Sequence, residues 1–158
     1  MNFKIEEIKS AANSGDVKAK SKLASLHMMG AFPGANPTEG VELLKQVAVP
    51  DNFEEMIELG ILYLKGNHVA QDKEKGLNMI EQGVSGLGGN VPFEHCFGVG
   101  MELSQIKEER WQKLSAKLLE SAVNDTEGMR QLETHMGQQG VMMVKGMLQA
   151  VKGWLASN

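Results

Sequence analysis

The sequence predicts an all-α fold, a short α/α superhelical solenoid of about three to four antiparallel helix pairs. Three observations carry that expectation. The chain superposes on itself at an offset of 36 residues, apolar residues recur at helical spacing, and turn formers stand where helices should end. At that offset "LASLHMMG" (23–30) falls on "LGILYLKG" (59–66), pairing Leu23 with Leu59, Ala24 with Gly60, Leu26 with Leu62, His27 with Tyr63 and Gly30 with Gly66. Without a gap, Gly40, Val41, Leu44 and Gln46 then fall on Gly76, Leu77, Ile80 and Gln82, and upstream Ala12 falls on Ala48.

Each element follows from local chemistry. Residues 3–14, "FKIEEIKSAANS", read as the second helix of an incomplete N-terminal unit. The first repeat, 16–50, holds a helix in "DVKAKSKLASLHMMG", the connection "AFPGAN", and a second helix opened by Pro37, whose missing N–H is no loss in a first turn. The second repeat, 52–86, places Met56, Leu59, Leu62 and Tyr63 on one helical face. Gly66 then ends that helix, and Asp72 is positioned to cap the next one with its carboxylate. The third repeat, 91–125, is degenerate. There "CFGVGMELS" aligns Phe97, Gly98, Met101 and Ser104 with Leu59, Gly60, Tyr63 and Gly66 at an offset of 38, which requires a two-residue insertion in "SGLGGNVP". Residues 126–158 supply two C-terminal helical patterns, "GMRQLETHMGQQG" and "VMMVKGMLQAVKGWL". No low-complexity linker interrupts the chain, so residues 1–158 read as one solenoid domain.

Composition narrows the class. Hydrophobic residues make up 42% and charged residues 23%, the balance of a globular protein rather than a disordered one. Aromatics are only 5% and methionines number 11, so the core must rest on aliphatic and thioether packing. A net charge of −4 gives no electrostatic reason to expect nucleic acid as a partner. No apolar run reaches the roughly 18 residues of a membrane span. The opening "MNFKIEEIKS" lacks the apolar stretch of a secretory leader, and the lone Cys96 allows no internal disulfide, so a reduced, cytoplasmic setting is expected.

The stretch "LGILYLKGNHVAQDKEKGLNMIEQGV" resembles a Sel-one-like repeat, a relative of the tetratricopeptide repeat. Leu59, Gly60, Leu62, Tyr63, Gly66, Val69, Asp72 and Lys75 match that motif, and Gly76 occupies its alanine place. "AANSGDVKAKSKLASLHMMG" resembles the joint before the next unit. The likeness covers residues 11–85 and fades from 91 onward. His27 replaces the usual tyrosine, Glu55 stands where alanine is favoured, and 31–36 lack the valine–aspartate pair. Leu43 and Met79 stand where the second helix often carries tryptophan; Trp111 reaches that place in the third unit only in a shifted register. The resemblance implies antiparallel helix pairs whose first helices line a concave face. It also implies a non-catalytic scaffold or adaptor that binds a protein or peptide there. Bacterial members commonly serve in signalling, secretion-linked and host-interaction assemblies, and small stand-alone ones can accompany secreted toxins. A toxin-neutralising immunity protein is therefore the alternative.

With Leu59, Leu62 and Tyr63 turned to the stack, Ile57, Ile61, Leu64 and Lys65 fall on the opposing face, with Ser21, Ser25, Met28 and Met29 as their partners in the first repeat. These eight are the candidate protein-binding residues. No cofactor or metal is implied. The histidines, His27, His68, His95 and His135, lack the spacing of a helical zinc site, and "SGLGGN" lacks the lysine of a phosphate loop. The pairs Glu6–Glu7, Glu54–Glu55 and Glu108–Glu109 diverge by about 100° on a helix, so neither member aims at a common substrate. A hydrolase using His95 and Cys96 is the competing reading from another class; it needs a thiolate in a pocket of convergent polar groups. Five methionines between 129 and 147 make the C-terminal segment either a cap on the last repeat or a second adaptable binding surface.

Overall fold

A computed structural model describes residues 2–158, with side chains from Lys4 onward. Among these residues all regular structure is helical: α1 (Asn2–Asn13), α2 (Val17–Met28), α3 (Pro37–Val47), α4 (Phe53–Lys65), α5 (Lys73–Gly86), α6 (Phe93–Ser104), α7 (Glu109–Asn124) and α8 (Thr126–Ser157). No described helix is long and apolar enough to cross a membrane. The chain falls into two compact units, one ending at Gly89 and the other starting at Asn90.

In the first unit the starts of α2, α3 and α5 are set by short polar side chains. The Ala19 N–H donates to Asp16 Oδ1 at 2.7 Å, the Thr38 N–H to Asn36 at 3.0 Å and the Lys75 N–H to Asp72 at 3.0 Å. Each bond satisfies a donor that the helix itself cannot pair. Pro37 opens α3, and Gly66 closes α4 at φ 73° with its N–H on the Leu62 carbonyl. Both connections close on equivalent places by different atoms. The Asn36 N–H donates to Nδ1 of the buried His27 ring, whereas the Asp72 N–H donates to the Tyr63 backbone carbonyl. The tyrosine ring is thereby left to the Lys75 ammonium, 4.0 Å from its centroid.

The helices α2 and α3 pair, as do α4 and α5, and each pair crosses at a small residue. A Cβ on Gly40 would lie 2.6 Å from the Ala24 carbonyl oxygen, and one on Gly76 would lie 2.6 Å from that of Gly60. The same 16-residue separation thus makes the same backbone approach twice. A single core then joins the pairs: Ala24, Leu44, Val47 and Leu59 form one buried cluster, flanked by Leu43, Leu62, Tyr63 and Met79. Burying each large aliphatic side chain contributes about 1.5–3 kcal/mol, so the second pair is anchored on the first rather than merely tethered to it.

The second unit repeats the helix pair in α6 and α7, but in a different register from the one expected. Gly98 does not take the place of Gly60; nothing lies within 4 Å of where its Cβ would be. Gly100 does. Its Cβ would meet Leu119 at 2.8 Å, and its carbonyl accepts the Ser115 hydroxyl at 2.7 Å, where the first unit has Gly76 against Gly60. The offset for the first helix is therefore 40, which also carries Phe53 onto Phe93, Met56 onto Cys96 and Leu59 onto Val99. The added residues have a visible origin. Counted in the 36-residue register, α5 runs three residues beyond the end of α3, and the connection after it is one residue longer. Trp111 lies in the first turn of α7, buried, and not at the Met79 place, which Leu118 takes at an offset of 39. We expect Gly98→Ala to stabilise the protein by about 0.5–1 kcal/mol through helix propensity. Gly100→Ala should instead destabilise it by about 1–3 kcal/mol through overpacking. Urea midpoints of the two variants check the register; equal shifts would restore the offset of 38.

No left-handed glycine ends α6. The side chain of Gln112, fully buried on α7, donates instead to the carbonyls of Ser104 at 2.9 Å and Ile106 at 2.7 Å, tying the helix end to its partner. Asp125 caps α8 through the Gly128 N–H at 2.9 Å. The two C-terminal patterns meet at Gly137, not at Gly140: Gly137 has φ 65° and ψ −170°, a conformation open essentially to glycine alone. After that break Val144 and Val151 are buried, and Lys152 reaches Glu120 of α7 at 2.8 Å. The second half of α8 also carries Trp154, partly covered.

Candidate functional site

The first helices of the first unit, α2 and α4, carry the expected binding residues, and the fold sorts them into three groups. Ile57 and Leu64 are core, only 0% and 7% exposed, and their assignment to a binding surface is corrected. The cause is that α4 packs against both α3 and α5. A helix flanked on two sides buries more than one stripe, so Ile57 lies against Gly83 and the backbone at Leu64 abuts Gly76. Met28 is half-buried and packs onto the shared core. What remains accessible is Ser21, Ser25 and Ile61, each half-buried, with Met29 and Lys65 exposed.

These five form two rows at i, i+4 spacing, Ser21 and Ser25 on α2 continuing to its C-cap residue Met29, and Ile61–Lys65 on α4 continuing from buried Ile57. Both rows open outward toward the C-terminal ends of their helices; Met29, at 70% exposure, is the most accessible large apolar residue in the protein as described. The hydroxyl of Ser21 donates across to Glu58 Oε2 at 3.4 Å, joining α2 to α4. Ser25 turns its hydroxyl back onto the Ser21 carbonyl at 3.2 Å.

Glu58 is the residue that sequence reasoning missed. Its carboxyl is pushed up to about 7, first by burial and then by the charges of Glu55 and Glu54, against the Ser21 hydrogen bond that favours the ionised form. The signal was present in the sequence as three carboxylates at 54, 55 and 58, one of them at i+3 and i+4 from the others. This face therefore carries a partly buried carboxyl whose ionisation is disfavoured, set among serines and an isoleucine.

The His95 and Cys96 pair of the competing hydrolase reading places its thiol in the interior. Cys96 is buried, its Sγ donates to the Val91 carbonyl at 3.4 Å, and burial pushes the thiol up to about 11, with Asp125 and Glu94 adding to the effect. The thiolate that hydrolysis would require is thus strongly disfavoured at neutral pH. Among the described residues no three histidine, cysteine, aspartate or glutamate side chains come together to hold a metal ion. In the C-terminal segment Met136 and Met142 are exposed, at 50% and 61%, while Met129, Met143 and Met147 are partly covered. No family model matches the chain, and no curated protein or solved structure matches it.

Proposed function

We propose that this protein is a non-catalytic interaction scaffold of the Sel-one-like kind, its helix pairs arranged as a short solenoid, which binds a protein or peptide along the face of α2 and α4. One observation carries the reading. The residues that make the helix crossings stay small in both copies, Ala24 with Gly40 and Gly60 with Gly76, while the accessible positions differ. Ser25 faces Ile61 in the alignment, and Met29 faces Lys65. Uniform architecture with variable accessible side chains is how repeat proteins read different partners from one frame. A mixed row of methionine, isoleucine, serine and a lysine suits a partner with an apolar anchor and a polar flank.

The test is affinity capture from the native host with the whole chain as bait, wild type against Met29→Glu combined with Ile61→Gln. The wild type should enrich one partner reproducibly. The double variant should lose it about tenfold, the ratio given by about 1.4 kcal/mol. Its unfolding free energy should stay within about 1 kcal/mol of wild type, because neither position is in the core. Undiminished capture by the variant would move the binding face elsewhere.

A further inference from the structure

The groove between α1 and α2 differs from its counterpart one repeat later. A cavity of about 290 Å³ opens there beneath the 31–33 connection, with Ile5, Ile8, Leu26 and Phe32 as its apolar lining and Lys4 and Lys22 at its edge. The volume sits at the lower end of small-ligand pockets, about 300–1,000 Å³. Thirty-six residues on, the corresponding positions hold Val41 and Leu44, both buried, together with Leu62, and Glu58 stands in the place of Lys22. The later positions are mostly buried and carry a carboxyl; the first groove is open and carries two lysines.

The nearby Glu6 carboxylate is held by Lys9 at 3.0 Å, and Lys9 also sits 5.0 Å from the Phe32 centroid. Lys4 and Lys22 have no carboxylate partner among the described residues. The Phe32 ring is fixed from another side by the edge of His27, with centroids 4.9 Å apart. An apolar floor with two ammonium groups at its edge matches a ligand with one anionic end and one aliphatic body. The small volume favours a compact molecule over a macromolecular segment.

We propose that the α1–α2 groove binds a small amphipathic carboxylate, its aliphatic chain against Ile5, Ile8, Leu26 and Phe32 and its head group between Lys4 and Lys22. This site is separate from the α2–α4 row of the scaffold reading and stands or falls without it. Titrations of the full chain with octanoate, octan-1-ol and acetate, followed by calorimetry and by amide chemical shifts, test it. Octanoate should bind with shifts confined to α1, α2 and residues 31–33, octanol should bind about tenfold more weakly, and acetate should not bind. Lys4→Gln with Lys22→Gln, both exposed, should bring octanoate down to the octanol level and leave octanol unchanged. Equal binding of octanol and octanoate would overturn the charge recognition, and shifts elsewhere or no binding would overturn the site. A short peptide ending in an aliphatic residue that outcompetes octanoate would replace the small-molecule occupant with a protein terminus.

Discussion

Gly76→Ala is expected to destabilise the protein by about 3 kcal/mol, although alanine is the better helix former. The added Cβ would stand 2.6 Å from the Gly60 carbonyl oxygen and 2.6 Å from the Leu64 amide nitrogen. Both obstructing atoms are backbone, inside a helix, and cannot rotate away as a side-chain end would. Relief requires α4 and α5 to separate along the length where Leu59, Leu64 and Ile80 are buried. That separation loosens contacts in the core, and protein interiors are packed about as densely as organic crystals. Gly40→Ala should behave alike, since its Cβ would meet the Ala24 carbonyl at the same distance. Urea unfolding followed by circular dichroism measures the effect as a lowered midpoint at constant slope. An unchanged or raised midpoint would mean that the crossing can widen at little cost.

Glu58→Gln is expected to stabilise the protein at alkaline pH and to do nothing at acid pH. The carboxyl has its ordinary value of 4.5 when unfolded and about 7 when folded. A raised carboxyl favours the protonated form in the fold. The native state is therefore unpenalised below pH 4.5 and loses stability as pH rises from 4.5 to 7, after which the penalty is constant. Glutamine keeps the shape, removes the charge and can still accept from Ser21. At pH 8 the gain should be about 2 kcal/mol, less than the full shift implies because the carboxyl is only partly buried. Denaturation of both proteins at pH 4, 6 and 8 gives the answer. A difference that does not grow with pH would place the carboxyl in solvent.

The all-helical class and the first two helix pairs were legible because the 36-residue register keeps each crossing residue in step, Ala24 with Gly60 and Gly40 with Gly76. Asp72 and Gly66 were legible for another reason: capping is local chemistry, decided within four residues. The third pair was misaligned because Gly98 and Gly100 are equally small and only two residues apart. Choosing between them requires knowing that α5 continues three residues further, and nothing in "SGLGG" marks that. Gln112 was invisible for a related reason, since its role depends on where α6 stops. The candidate site was half legible. Periodicity assigns α4 one buried stripe, so Ile57 and Leu64 read as surface; their burial comes from a second flanking helix that only the fold supplies. Glu58 escaped because a carboxylate on an acidic helix looks solvated until a neighbouring helix covers it.

The positions of Trp111 and Trp154 have a practical consequence. Both tryptophans belong to the unit that starts at Asn90, and Tyr63 alone marks the other. Intrinsic fluorescence excited at the tryptophan band is therefore a private channel for α7 and α8, while far-ultraviolet dichroism reports every described helix. Comparing the two signals in a single denaturation resolves the units without labels. Superimposed curves mean the chain melts as one cooperative body, and a fluorescence curve displaced from the dichroism curve reads out the coupling between the units.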